Sequence, residues 1–152
     1  FWVEIEAIAA DTPTPTATAT ATATATNTTA PSPDFTLSYD NIHTCSGIPS
    51  YATTRVDNVG NVTFESVEIF VVDLDNSSAT LYGPATNNEP FLSTSTGCPP
   101  EASVLNPGDT AYIAVNIGSY TSGNTARETL KMCTEDGLGG DCVTKSVDFV
   151  LP

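Results

Sequence analysis

Residues 126–151 decide the fold, and they read ARETLKMC (126–133), TEDGLGGD (134–141) and CVTKSVDFVL (142–151). Two runs with strand character flank a turn-rich octapeptide, and a cysteine stands on either side of that octapeptide. This layout predicts a β-hairpin whose neck is bridged by a Cys133–Cys142 disulfide. In the second run, Val143, Val147 and Phe149 share one parity with Leu151, so we expect them on one face of the strand.

Runs of the same kind extend through the rest of the chain from Asp34. They alternate with turn signals, and no segment keeps a helical period. We therefore predict an all-β domain, an immunoglobulin-like β-sandwich of seven strands with an extended N-terminal arm. The predicted strands are Phe35–Tyr39, Tyr51–Val56, Val62–Asp73, Ala79–Tyr82, Thr110–Ile117, Ala126–Cys133 and Val143–Leu151.

Period-two parity also predicts which side chains are buried. The expected core residues include Ile113, Val115, Val147 and Phe149. Phe64 falls on the opposite parity to Val67, Ile69 and Val71, which predicts a bulge or a change of buried face near Glu65 and Ser66.

Length and charge narrow the class of protein. Residues 34–152 suffice for one ordinary domain with its own core. The formal net charge of −14 would repel phosphate backbones and anionic lipid, so we expect no nucleic-acid partner. No apolar run approaches the 18 residues of a spanning helix, so we expect no membrane insertion of the mature chain.

The four cysteines have spacings that fit neither paired zinc ligands nor a redox CxxC motif. Disulfides are the better interpretation, with Cys133 bridged to Cys142 and, by elimination, Cys45 bridged to Cys98. Four cysteines permit three connectivities, of which this is the favoured one. Disulfides of this kind predict an extracellular or cell-surface location.

The chain before the sandwich has two parts, a head (residues 1–10) and a linker (residues 11–33) rich in Thr, Ala and Pro. A tract of this composition cannot form a core by itself, so the linker reads as an extended tether. It is either a passive, O-glycosylated spacer or an arm that docks along a neighbouring subunit. The glycosylation candidates in it are Thr14, Thr16, Thr18, Thr20, Thr22, Thr24, Thr26 and Asn27.

The head alternates apolar and polar residues as a half-buried strand does. Phe1, Val3, Ile5 and Ala7 fall on one face, and Trp2, Glu4, Glu6 and Ile8 fall on the other. A lone strand with an apolar face needs a sheet to pair with, and that sheet belongs either to its own sandwich or to the next copy of the chain. A head-to-tail contact does not close on itself and generates a filament.

Candidate chemistry is sparse in this sequence. The single histidine, His43, is expected to be a loop histidine near a disulfide, so a histidine metal cluster is excluded and we expect no enzyme. The acidic loops 73–78 and 135–141 have no EF-hand spacing and leave a weak possibility of Ca²⁺ as the sole cofactor or metal. An internal amide crosslink would join Lys131 or Lys145 to an Asn or Asp beside an acid, whereas lysines in strands are more often simply exposed.

Sugar recognition and glycosylation are two further possibilities. Asn61 and Asn76, like Asn27, stand in Asn-x-Ser/Thr sequons and are N-glycosylation candidates. A stalked adhesion or carbohydrate-binding module that contacts surface glycans is the alternative to a filament subunit. The scattered tyrosines give this alternative no obvious aromatic platform.

The turns carry a resemblance to a known family. Asn58-Val59-Gly60 and Leu105-Asn106-Pro107-Gly108-Asp109 resemble turns of the CARDB group of bacterial immunoglobulin-like modules. The Cys133–Cys142 stretch is similar to one found in modules that follow Thr-Pro-rich spacers in secreted bacterial proteins. The resemblance covers about residues 34–152, and it implies an immunoglobulin-like fold and a role as a spacer or adhesion unit without catalysis.

Overall fold

The structure is a computed structural model that describes residues 1–2, 29–45, 47–99 and 104–152. Seven strands and one short 3-10 helix follow one another in the order β1 (Phe35–Cys45), β2 (Ile48–Asn58), β3 (Ser66–Asp73), β4 (Ala79–Asn87), β5 (Thr110–Asn116), β6 (Thr125–Glu135), the 3-10 helix (Asp136–Leu138) and β7 (Gly139–Val150). No helix in these ranges has the length and apolar character needed to cross a bilayer.

Two antiparallel sheets face each other in the sandwich. One has the strand order β1-β2-β5 and the other has the order β4-β3-β6-β7. The predicted all-β, seven-stranded sandwich is therefore confirmed. The fourth strand pairs with β3 and not with β5, so the sheets carry three and four strands.

Most strand boundaries lie close to those expected from the sequence. The largest differences are at the ends of β1 and β4, which extend to Cys45 and Asn87 beyond the predicted Tyr39 and Tyr82. β3 begins at Ser66, four residues later than predicted. Phe64 forms an isolated bridge with Leu105 instead, and both Phe64 and Val67 are buried. The predicted break near Glu65 and Ser66 is where the chain crosses from the bridge into the second sheet.

The core lies between the two sheets and is formed by inward-facing side chains of both. Ile113, Val115 and Phe149 are buried as predicted, whereas Val147 is half-buried, so its prediction as a core residue was wrong. Val147 lies on β7 at the edge of the four-stranded sheet, where a neighbouring strand covers one side. The cluster consists of Phe35, Ala52, Val56, Phe64, Val67, Ile69, Val71, Phe91, Leu105, Ala111, Ile113, Val115, Ile117, Ala126, Leu130, Met132, Phe149 and Leu151.

A long connection covers the outer face of the three-stranded sheet. We call residues 88–99 the strap. Leu92 exchanges two backbone hydrogen bonds with Tyr112 on β5, of 2.8 and 3.0 Å, and Cys98 forms a disulfide with Cys45 at the far end of β1. Thr53 on the central strand β2 lies beneath the strap and is fully buried.

Candidate functional site

The linker joins the sandwich at one end of the molecule, where Asn61 holds it by its side chain. The Asn61 amide donates to the Ala30 carbonyl at 2.9 Å, and its carbonyl oxygen accepts from the Ser32 N–H at 2.7 Å. Gly60 lies directly under this segment, because a Cβ atom there would be 2.5 Å from the Ser32 carbonyl oxygen. We call residues 30–34 the arm base, and its position on the sandwich is fixed by these contacts.

The last residue of the arm base contacts the edge strand β7. Lys145 Nζ lies 2.6 Å from Asp34 Oδ1, and this hydrogen bond holds the pKa of Asp34 below its usual value. Both side chains are substantially exposed, so this is a surface ion pair and not the buried arrangement that an amide crosslink needs. The contact brings the start of the folded domain to the middle of β7.

Each sheet has two edge strands, and the edge of β5 is partly occupied. The two hydrogen bonds between Leu92 and Tyr112 occupy the centre of this seven-residue strand. Pro90 and Pro99 of the strap lie beside its last three residues, 114–116. A further strand cannot pair along the whole of β5 while the strap is in place.

The edges of β4 and β1 are irregular. β4 contains Pro84, which has no N–H to donate, and its register against β3 shifts twice between Ile69 and Val72. β1 has register shifts between Tyr39 and Asn41 and again before Cys45. Interruptions of this kind limit strand pairing at an edge.

β7 is regular over a longer stretch than the other edge strands. It pairs with β6 in nine consecutive positions, from Val150 opposite Thr125 to Cys142 opposite Cys133. None of the residues that the structure describes pairs with its other side. β7 is thus a long, regularly paired strand whose outer edge is unpaired among the described residues.

The inner face beside this edge is incompletely covered, and it is apolar apart from Lys145, which lies between Val143 and Val147. Val143 and Val147 on β7 are half-buried, as are Leu37 and Tyr39 on β1. The Tyr39 ring stacks on Phe149 at a centroid distance of 4.3 Å, which joins the two strands across the sandwich. We call Leu37, Tyr39, Val143 and Val147 the seam.

Comparisons of the chain with protein families, with curated proteins and with solved structures find no match. The resemblance to the CARDB group therefore stays a prediction.

The structure brings together both predicted cysteine pairs. Cys45 is bonded to Cys98, and Cys133 is bonded to Cys142. No free cysteine occurs in the described ranges. The connectivity that was favoured among the three alternatives is confirmed, and two disulfides are typical of an oxidising compartment.

The other predicted site residues are only partly within the described ranges. Phe1 and Trp2 are fully exposed, as are Asn61 and Asn76 among the glycosylation candidates. The remaining residues of the expected assembly interface and of the glycosylated tract lie outside the described residues, and they are Val3, Ile5, Ala7, Ile8, Thr14, Thr16, Thr18, Thr20, Thr22, Thr24, Thr26 and Asn27.

His43 is part of the attachment of the strap. Its Nε2 atom lies 3.0 Å from the Gly97 carbonyl oxygen and 3.1 Å from Cys45 Sγ, and its Nδ1 atom lies 3.0 Å from Thr53 Oγ1. The ring and the two sulfur atoms of Cys45 and Cys98 are close enough to be considered as metal ligands. The two sulfurs are bonded to each other, however, so neither is a thiolate that would bind a metal.

The acidic loop after β3 uses its carboxylate oxygens within the protein. Asp73 is buried and accepts from the N–H groups of Asp75 and Asn76 and from the side chain of Asn124. Asp75 accepts from the Thr125 N–H at 2.6 Å. These bonds give the two carboxylates a structural role in joining the loop to β6, which does not depend on Ca²⁺.

Two concave regions lie along the β5 side. A cavity of about 180 Å³ is lined by side chains that include Tyr51, Tyr82, Asn87 and Asn116. A more open groove of about 380 Å³ lies beside Phe91, Val104 and Thr110. The smaller cavity is below the usual size of a ligand pocket, which is about 300–1,000 Å³.

Sequence reasoning missed the strap and one buried acid. The strap has no periodic pattern, so the sequence predicted the position of Cys98 beside Cys45 but not the path of the other residues. Glu128 is fully buried, and a signal for it existed, because its parity places it on the same face of β6 as Ala126, Leu130 and Met132.

Proposed function

We propose that this protein is a non-enzymatic, extracellular structural subunit that assembles into a surface filament when the head of one copy pairs with a sheet edge of the next. The observation that carries the proposal is that, among the described residues, a continuous core between the two sheets is formed by side chains from Phe35 to Leu151. In this proposal the head, of which the structure describes Phe1 and Trp2, is not needed for that core. A surplus strand with an apolar face gains stability by pairing with an unpaired edge.

The arm base supports the same proposal. Asn61 and Gly60 fix the point at which the linker leaves the sandwich, so a load on the linker is transmitted to a defined part of the domain. Two disulfides, each typically contributing about 2–4 kcal/mol, suit a domain that works outside the cell under load. In this proposal the protein acts by association, without turnover of a substrate.

Sedimentation velocity and negative-stain microscopy of the full-length protein test the proposal. We expect polydisperse, growing species and uniform fibres, and we expect both to disappear when residues 1–10 are deleted. A single sedimenting species of monomer mass over a wide concentration range would contradict the proposal.

A matched pair of variants tests whether assembly needs the apolar face of the head or only a head of the same length. Val3→Asn with Ile5→Asn changes the apolar face, and Glu4→Asn with Glu6→Asn places the same residue type on the opposite face. We expect the first pair of substitutions to abolish fibres and the second to preserve them. Equal effects of the two would show that the alternation of the head has no role in assembly.

One observation favours a second candidate, a stalked adhesion module. Tyr51 and Tyr82 line the 180 Å³ cavity together with Asn87 and Asn116, and aromatic rings beside amide groups are able to bind one sugar ring. NMR titration of the full-length protein with monosaccharides tests this alternative. Shifts confined to these residues would support it, and an absence of shifts at millimolar sugar would exclude it.

A further inference from the structure

We propose that the outer edge of β7, together with the seam, is the acceptor surface for the head (residues 1–10) of a second copy of this chain. This inference rests on the proposed assembly and adds to it the position of the acceptor. Three observations support it. They are the regularity and occupancy of each sheet edge, the direction of the main-chain groups of β7, and the apolar side chains beside that strand.

The first step compares the edges. The strap occupies β5, Pro84 and two register shifts interrupt β4, and two register shifts interrupt β1. Among the described strands, β7 combines nine regular pairs on one side with no strand on the other. A strand of eight residues finds enough continuous edge here to pair along its whole length.

The second step identifies which groups of β7 point outward. The Cα atoms of Cys133 and Cys142 are 4.2 Å apart, which is the spacing of a non-hydrogen-bonded antiparallel pair. Every second residue from Cys142 therefore directs its N–H and C=O away from β6. The Leu151 N–H, on the other parity, donates to the Asn124 carbonyl and agrees with this assignment. The outward residues are Cys142, Thr144, Ser146, Asp148 and Val150.

The third step concerns side chains. An added strand continues the inner face of the sheet, so its apolar residues would cover the half-exposed seam at Val143 and Val147 and would pack on the aliphatic part of Lys145 between them. The head has the alternation that this requires, with Phe1, Val3, Ile5 and Ala7 on one face and Trp2, Glu4, Glu6 and Ile8 on the other. In this register the glutamates face solvent, on the same side as Thr144 and Ser146.

The fourth step favours a second copy over the same molecule. Asp34 already contacts Lys145 in the middle of β7, so a return to its own β7 would need only a short connection. The 18 residues from Asp11 to Thr28 span about 55 Å when extended at about 3.1 Å per residue. The 12 residues of β7 span about 40 Å at about 3.3 Å per residue. These 18 residues of the linker can therefore span more than the length of β7, as a connection between copies requires.

Ser146→Pro in the full-length protein tests the acceptor edge. Proline removes the outward N–H of residue 146 and leaves the β6–β7 ladder intact, because that N–H does not point to β6. Ser146→Ala is the matched control, because it also removes the hydroxyl that lies 2.8 Å from Thr129 Oγ1 but keeps the N–H. We expect the rate of seeded fibre elongation to fall at least about tenfold in Ser146→Pro and less than about twofold in Ser146→Ala. Thermal melting checks that both variants fold.

Crosslinking shows where the head lies and in which copy. A photoreactive benzoylphenylalanine at position 1 is used in an unlabelled chain mixed with ¹⁵N-labelled chains, and crosslinked peptides are identified by mass spectrometry. We expect mixed-isotope crosslinks to residues 142–150. Crosslinks within one isotope would overturn the assignment to a second copy. Normal elongation of Ser146→Pro, with fibres still dependent on the head, would overturn the β7 edge and leave the proposed function standing.

Discussion

The carboxyl group of Glu128 on β6 accepts a hydrogen bond from the hydroxyl of Thr54 on β2, and this pair joins the two sheets inside the core. Both residues are fully buried, and the cross-strand neighbours of Glu128 are Val71 and Val147. The second carboxyl oxygen, Oε1, has no hydrogen-bond partner among the described residues. Burial raises the pKa of Glu128 to about 7, although the Thr54 hydrogen bond opposes this shift.

The first prediction concerns the pH dependence of stability. The folded pKa of Glu128 is above its ordinary value of 4.5, so the folded state holds a proton that the unfolded chain releases. The stability that this proton confers is complete below pH 4.5 and is lost as the pH rises to about 7. We expect a loss of about 3 kcal/mol over this window in urea unfolding experiments. Glu128→Gln should remove the slope.

Thr54→Val is the control for the same pair. Because the Thr54 hydroxyl lowers the pKa of Glu128, its removal should extend the loss of stability to a higher pH. Three surface carboxylates act in the opposite direction, because hydrogen bonds lower their pKa values. They are Asp34, bonded by Lys145, Asp57, bonded by Thr110, and Asp148, bonded by Arg127. The stability that these bonds give to the folded protein is lost as the pH falls. Identical pH profiles of the wild-type protein and Glu128→Gln would show that Glu128 is not protonated in the fold.

The second prediction concerns the arm base. In Gly60→Ala the new Cβ would lie 2.5 Å from the Ser32 carbonyl oxygen and 2.6 Å from the Asp34 nitrogen, so the backbone must move. We expect a loss of about 1–3 kcal/mol in unfolding free energy and faster hydrogen exchange of the Ser32 amide. Asn61→Ala removes two hydrogen bonds without a clash and should cost less than Gly60→Ala. Unchanged exchange at Ser32 in both variants would show that the arm base is not held as described.

The third prediction compares the two disulfides. Cys45–Cys98 closes a sequence separation of 53 residues and Cys133–Cys142 closes one of 9. Loop-closure entropy predicts that replacing the first pair by alanine costs about 4 kcal/mol and the second about 3 kcal/mol. Chemical denaturation of the two double variants measures the difference. A larger loss for the shorter loop would indicate that native-state contacts, and not chain entropy, dominate.

The fourth prediction concerns salt. Copies with a formal charge of −14 repel one another, and this repulsion is screened over about 8 Å at physiological ionic strength and over about 3 Å at 1 M. We expect fibre growth, followed by light scattering, to accelerate as sodium chloride is raised from 10 to about 500 mM. Slower growth at high salt would show that attraction between opposite charges drives the contact.

The sequence was sufficient for the architecture because the signals for it are local. Period-two runs identified the seven strands, and the break near Glu65 was visible as a parity change at Phe64. The Cys133–Cys142 bridge followed from the hairpin between the two cysteines. Each of these features depends on residues that are close in the chain.

Features that depend on contacts between residues far apart in the chain were harder to predict from the sequence. The path of the strap is set by contacts of Leu92 with Tyr112 and of Gly97 with His43, which lie on opposite edge strands. Val147 was predicted to be buried because parity identifies the inward face but not whether a neighbour covers it. Which strand edges are regular and unpaired, on which the proposed acceptor surface depends, emerged only from the pairing of the strands.

In the proposed assembly, the strap also limits which strand edges a second copy can reach. Before Cys45 and Cys98 are joined, the chain over β5 is held by hydrogen bonds, and its release would expose a second strand edge in addition to β7. In the proposed assembly, a subunit in that immature condition would present two docking positions, and branched growth would result if both were used. Oxidation of the two thiols to the disulfide would then restrict the proposed growth to a single direction.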